Sequence, residues 1–194
     1  MMNLTDVQQV LATHEPELIT DETLVHAVVA LLLKEDAAGL QLLFIERATH
    51  ADDPWSGDIG FPGGKVDAAD GSVQQTAERE VGEELGLDLR NARCLGRLSD
   101  VSGAHLPVRV SCLVYGLDKV APVRLNHEIR DAFWVALKDL EDVSRHLQEE
   151  VTFRDETFMR QAFILPVPGK PVLWGLTYRL VMQFAEMMRG AGGA

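Results

Sequence analysis

The sequence predicts one α/β domain built on a mixed β-sheet, with α+β as the other arrangement that its pattern allows. Three observations carry this expectation. Helix-period and strand-like runs are interleaved along the chain. No composition break, internal repeat or low-complexity tract divides it. Its 194 residues, 46% of them hydrophobic, are enough to bury a core without disulfides or a structural zinc. The expected domain spans residues 1–194, with a helical N-terminal extension over 1–20 and a closing helix over 172–190.

The elements follow in order. Leu4, Val7 and Leu11 lie three and four apart, which predicts a short amphipathic helix within the first fourteen residues, ending before Pro16. Leu24 to Leu33 and Leu40 to Glu46 predict two strands, with Lys34 to Gly39 as the polar turn. From Arg47 to Asp70 the chain is rich in Gly, Pro and Asp, too broken for a helix or a long strand. A loop of this length inside a small domain is more often functional than idle. Ser72 followed by Gln75 has the spacing of a capping box, and Gly86 offers a left-handed stop, so Val73 to Leu85 is expected to be one helix. Strands are expected over Ala92 to Leu98, Val108 to Leu117 and Ala132 to Ala136. Leu137 to Leu147 is expected to be helical, Thr157 to Leu165 extended and Trp174 to Met188 helical. Trp174, Tyr178, Leu180 and Val181 are expected to fill the core.

Charge narrows the function classes. Lys and Arg number 18 against 30 Asp and Glu, a net charge of −12. That balance disfavours a nucleic-acid polymer as partner, because such affinity rests on cations neutralising phosphates. It leaves room for small phosphate compounds held through a bound cation. Cys94 and Cys112 have no metal-ligand spacing and are expected to fill core. There is no apolar run long enough for a membrane span, and the first residues lack the pattern of a secretory leader, so no membrane partner and a cytoplasmic setting are expected. P-loop, serine-elbow and paired-cysteine zinc motifs are absent.

The informative stretch is Gly63-Gly64-Lys65 leading into Thr76-Ala77-Glu78-Arg79-Glu80-Val81-Gly82-Glu83-Glu84-Leu85-Gly86. At about 100° per residue, Glu80, Glu83 and Glu84 share an arc of about 100°. Glu80 and Glu84 border the apolar stripe Val73, Ala77, Val81 and Leu85, whereas a merely solvated acidic face would point away from it. Crowded carboxylates beside a packed flank repel each other and call for a cation. Arg79 supplies one charge. A hard divalent ion with oxygen ligands, Mg²⁺ or Mn²⁺, is the natural further candidate, with Glu80, Glu83 and Glu84 as ligands and Asp70 touching the metal directly or through water. A surface ion-pair helix is the competing reading. Two adjacent glycines allow close backbone approach to a ligand, and Lys65 beside them could meet a phosphate oxygen.

Gly64-x5-Asp70-x8-Arg79-Glu80-Val81-x-Glu83-Glu84-x-Gly86-Leu87 resembles the Nudix box, written Gly-x5-Glu-x7-Arg-Glu-U-x-Glu-Glu-x-Gly-U with U aliphatic. Asp replaces the usual Glu, and eight residues rather than seven precede Arg79. The resemblance implies a Nudix-type α/β/α sandwich and metal-dependent hydrolysis of a nucleoside diphosphate linked to another group. It implies Glu80, Glu83 and Glu84 as metal ligands and Arg79 as the partner that holds a box carboxylate. The general base would be a box glutamate or Glu128, which occupies a place where many Nudix enzymes carry a further acid. Leu42-Leu43, Arg47, Gly57 and Phe61-Pro62-Gly63-Gly64 with Asp67 and Asp70 are similar to the coenzyme A diphosphatase branch. In place of that branch's Leu-Arg-x-His-like stretch stands Asp53-Pro54-Trp55-Ser56. The resemblance therefore implies coenzyme A or its derivatives as substrate, cleaved to adenosine 3′,5′-bisphosphate and 4′-phosphopantetheine. ADP-ribose, nucleotide sugars and dinucleotides are the enzymatic alternatives. A noncatalytic ligand sensor or a diphosphate isomerase on the same scaffold are the alternatives of other classes. Arg47, Gly63, Gly64, Lys65 and Trp55 are the candidate substrate contacts, with Trp55 stacking on a base or anchoring its loop. His105 is a weaker candidate, and a homodimer is possible.

Overall fold

The structure is a computed structural model that describes residues 2–49, 55–104, 106–153 and 156–191. His105, Asp53 and Pro54 lie outside the described residues. The elements are α1 (Leu4–Ala12), β1 (Val25–Asp36), β2 (Gly39–Arg47), β3 (Ile59–Gly60), β4 (Gly63–Lys65), α2 (Val73–Leu85), β5 (Arg93–Arg97), β6 (Val101–Ser102), β7 (Val108–Gly116), β8 (Ile129–Ala136), α3 (Leu137–Leu140), β9 (His146–Phe153), β10 (Glu156–Phe163), β11 (Leu173–Trp174) and α4 (Gly175–Ala191). Short 3₁₀ turns at Leu89–Asn91 and Val143–Arg145 complete the set.

The main sheet runs β3-β2-β1-β7-β5, with β4 on β1, β6 on β7 and β8 on β2. It is mixed: β1 is parallel to β7 over Val25–Leu33 and antiparallel to β2 and β4. The parallel pair requires a long crossover, and α2 lies within it. Pleating divides β1 between two faces. Leu31 and Leu33 join the core made by Leu4, Val7 and Leu11 of α1 with Leu180, Val181, Phe184 and Met188 of α4. Val28, Ala30 and Leu32 join the core made by Ala77, Val81 and Leu85 of α2. Each Val, Leu, Phe or Met side chain among these, when fully buried, is worth roughly 1.5–3 kcal/mol. The expected α/β/α layering with a mixed sheet is thus what forms. Among the described residues no helix is long and apolar enough to cross a membrane.

Several elements depart from expectation. The β1–β2 hairpin is tighter, because β1 continues to Asp36 and leaves Ala37 and Ala38 as the turn. The expected helix over Leu137 to Leu147 stops at Leu140. There the Asp142 carboxylate accepts from the Ser144 amide and hydroxyl, a local bond that competes with continued helix. The chain then turns into β9, paired with β10 in a separate three-stranded sheet with β11. Trp174 belongs to β11 rather than to the last helix, and Cys94 is exposed on β5 instead of filling core. At α2 only half of the capping box forms. The Ser72 hydroxyl accepts from the Gln75 amide, while the Gln75 side chain reaches one residue further back, to the Gly71 amide. Gly86 caps the other end at φ +65°.

Candidate active site

The site is built where β4 meets α2. Gly63 pairs with Val29 at φ +152°, and a Cβ there would lie 2.2 Å from the Val28 carbonyl oxygen. Gly64 is required for a different reason: a Cβ there would lie 2.4 Å from Oε1 of Glu80. The first glycine admits strand β1, and the second admits the carboxylate itself. This close approach lets the Gly63 amide donate to Oε2 of Glu84 at 2.9 Å.

Arg79 organises the opposite flank. Its Nε and Nη2 donate to the two oxygens of Asp70 at 3.1 and 2.9 Å. Nη1 donates to Glu80 at 2.8 Å and Glu83 at 3.3 Å, and Nη2 also to the Lys65 carbonyl at 3.1 Å. This two-point hold is the geometry a planar guanidinium favours with carboxylates. Asp70 accepts further bonds from the Thr76 hydroxyl and the Asp67 amide. Together with the Arg79 guanidinium these hold its carboxyl well below the usual carboxylate range. Both Asp70 oxygens are therefore engaged within the protein, and Asp70 anchors Arg79.

Glu84 has a different environment. It is 2% exposed, and burial pushes its carboxyl up to about 8, opposed by the Gly63 amide and the charge of Arg47 and reinforced by Glu80 and Glu128. Burial also raises the Glu80 carboxyl, with Arg79 opposing, and Glu83 and Glu128 adding to the rise. Glu83 is exposed beyond Arg79.

Glu128 reaches this group through the loop before β8. The Arg124 and Asn126 amides donate to the carbonyls of Leu85 and Glu84, which satisfies the end of α2. The Asn126 side chain accepts from the Glu128 amide, and the Glu128 carbonyl accepts from the Ala48 amide next to Arg47. Arg47 and Glu128 thus act on Glu84 from the β2–β8 side, while Gly63 reaches it from the β4 side. The side chain of Lys65 is exposed, and Trp55 sits half-buried in the turn before β3.

The acidic side chains that act on Glu84, Glu80 and Glu128, offer oxygens, the ligand class of hard divalent ions. Among the described residues no three such side chains are gathered tightly enough to enclose an ion unaided. Magnesium commonly keeps several waters and borrows oxygens from substrate phosphates, so an incomplete protein cage fits such an ion. Sequence reasoning missed Thr76, which is fully buried against Asp70, and Asn126, which seats Glu128. Neither belongs to a spacing that signals chemistry.

Comparison with known proteins fits this arrangement. The chain is 30% identical over 154 residues to the human mitochondrial coenzyme A diphosphatase NUDT8, covering 78% of this chain and 64% of that protein. It is 27% identical over 165 residues to the mitochondrial Nudix hydrolase 15 of Arabidopsis thaliana, covering 83% and 57%. It thus spans less than two thirds of the length of these curated relatives. A MutT/nudix family protein from Enterococcus faecalis superposes with a TM-score of 0.56 at 17% identity, over 97% of this chain and 70% of that one. Residues 23–161 match the NUDIX domain model, a span that holds both glycines, the whole carboxylate helix and Glu128. The chain belongs to the NUDIX domain family.

Proposed function

We propose that this protein hydrolyses the diphosphate bond of a small nucleoside diphosphate derivative with the help of a divalent cation, Mg²⁺ or Mn²⁺, and that coenzyme A or its derivatives are the substrate. The observation that carries the reading is Glu84: a carboxylate 2% exposed, with one backbone amide as its hydrogen-bond partner and two more carboxylates in electrostatic reach. A fold keeps so uncompensated a group at a cost unless a ligand supplies positive charge.

Glu80 and Glu84 would hold the cation, with the exposed Glu83 as a third ligand. When bound, the cation stabilises charge that builds on the diphosphate oxygens and lowers the pKa of a coordinated water. Arg79, fixed by Asp70, keeps Glu80 from turning away. Arg47 stands beside the carboxylates as a counter-charge for substrate phosphate. Glu128 takes the proton from the attacking water, because it lies near Glu80 and Glu84 and is exposed enough to reach solvent. Water adds across the P–O–P bridge: its oxygen joins one phosphorus, the bridging oxygen leaves with the other, and two phosphomonoesters result. Coenzyme A as substrate is supported by the upstream pattern Arg47, Gly57 and Phe61-Pro62-Gly63-Gly64 and by the likeness to NUDT8. Lys65 and Trp55 are proposed to line the substrate path.

The test is a metal-dependent hydrolysis screen over coenzyme A, ADP-ribose, NADH and UDP-glucose, with products separated by chromatography. Adenosine 3′,5′-bisphosphate and 4′-phosphopantetheine are expected from coenzyme A. Cleavage of another member in its place would move the substrate assignment. Cleavage of none would overturn the hydrolase reading.

A further inference from the structure

Next to this site lies a charged cluster that the box does not include. Glu46 of β2 and Asp131 of β8 are cross-strand partners. Like charges placed opposite one another in a sheet repel. Lys170, from the loop before β11, lies between them: its Nζ donates to Oε2 of Glu46 at 2.7 Å and to Oδ2 of Asp131. Arg130 takes the other Glu46 oxygen at 2.9 Å. Glu46 is 4% exposed, so its charge is screened by these groups rather than by water. The ammonium also lies 4.9 Å from the centroid of the Phe133 ring, which seats it on β8.

The position of the cluster matters. The β2–β8 register shifts immediately after Glu46, so that Arg47 pairs with Ile129 and Arg130 becomes the extra residue of a bulge. Bulges re-aim neighbouring side chains. Arg47 and Glu128, the two groups that reach Glu84 from this side, lie directly beyond it and are tied by the bond from the Ala48 amide to the Glu128 carbonyl at 2.7 Å.

We infer that Lys170 is a positioning residue: by bridging Glu46 and Asp131 it keeps the β2–β8 bulge closed and so holds Arg47 and Glu128 toward Glu84. Lys170 lies outside residues 23–161, beyond the part of the chain that matches the family model. The catalytic consequence rests on the hydrolase reading, whereas the bridging role does not.

The experiment compares Lys170→Met, Lys170→Arg and the double variant Lys170→Met/Asp131→Asn by amide hydrogen exchange and by steady-state hydrolysis. In Lys170→Met the Ala48 amide is expected to exchange about 10-fold faster while amides of the β1–β7 pair keep their protection. Turnover is expected to fall about 10-fold, within the range seen when support for a site is lost, with KM little changed. Asp131→Asn in the Met background removes the repulsion and is expected to restore both readouts in part, as Lys170→Arg does. If Lys170→Met does not fold, Lys170→Gln makes the same comparison. Unchanged Ala48 protection, or no rescue by Asp131→Asn, overturns the inference. If the wild type cleaves no diphosphate, the hydrolase reading fails, and the exchange measurements still decide the role of Lys170.

Discussion

Glu46 and Glu84 are both carboxylates sealed from water, yet the fold treats them in opposite ways. Glu46 meets two protein cations, Lys170 and Arg130. Glu84 receives one backbone amide, a more distant influence from Arg47 and the repulsion of Glu80 and Glu128. Removing one partner of a buried ion pair leaves a charge uncompensated, whereas removing a carboxyl that burial has raised to about 8 leaves no opposite charge behind. The first carboxylate therefore serves architecture. On the proposed function, the second is kept for a bound cation.

The comparison can be broken by substitution. If Glu84 holds the cation as proposed, Glu84→Gln is expected to reduce metal-dependent turnover by more than about 100-fold, since loss of groups that merely support a ligand already costs about 10- to 100-fold. The same variant should leave the metal-free melting temperature unchanged or higher. Glu46→Gln is expected to do the reverse to stability, at a cost of about 1.5–3 kcal/mol, because Lys170 keeps Asp131 but it and Arg130 each lose a charged hydrogen-bond partner. Chemical denaturation of the two variants side by side checks both signs. Gly64→Ala would drive a methyl into the Glu80 carboxylate, and a turnover loss of about 10- to 100-fold with the fold intact is expected.

A pH titration sharpens the same contrast. The Glu84 carboxyl is raised from 4.5 to about 8, so between those values the native state keeps a proton that the unfolded chain has released. The stability that this proton uptake confers is complete below about 4.5 and is lost as pH rises through about 8. The metal-free protein should therefore melt at a lower temperature at pH 9 than at pH 6, and saturating Mg²⁺ should reduce the difference. Asp70 is shifted the other way by Arg79, so its contribution disappears only in strong acid, outside that window. The smallest expected effect is that of Ser72→Ala, which removes the cap of α2 and should cost about 1 kcal/mol in chemical denaturation.

Much of this site was legible in the residues, because its determinants are local. Ser72 and Gly86 bound α2 at the expected positions, and helical spacing alone set Glu80 and Glu84 against the packed flank. Spacing could not show that Arg79, Thr76 and the Asp67 amide all converge on Asp70, because these contacts form only once the loop folds back on the helix. Strand β9 was hidden because Leu137, Leu140 and Leu147 have helical spacing, while the Asp142–Ser144 turn that follows the helix is one short local motif. The bridge from Lys170 to Glu46 joins residues 124 positions apart, and no local pattern reports such a pair.

The most direct measurement is a Mn²⁺ titration at pH 7.5, followed by electron paramagnetic resonance, of the wild type, Glu84→Gln and Glu46→Gln. The account predicts that the wild type and Glu46→Gln bind the ion with similar affinity, while Glu84→Gln binds at least about 10-fold more weakly. Equal binding by Glu84→Gln and the wild type would contradict it.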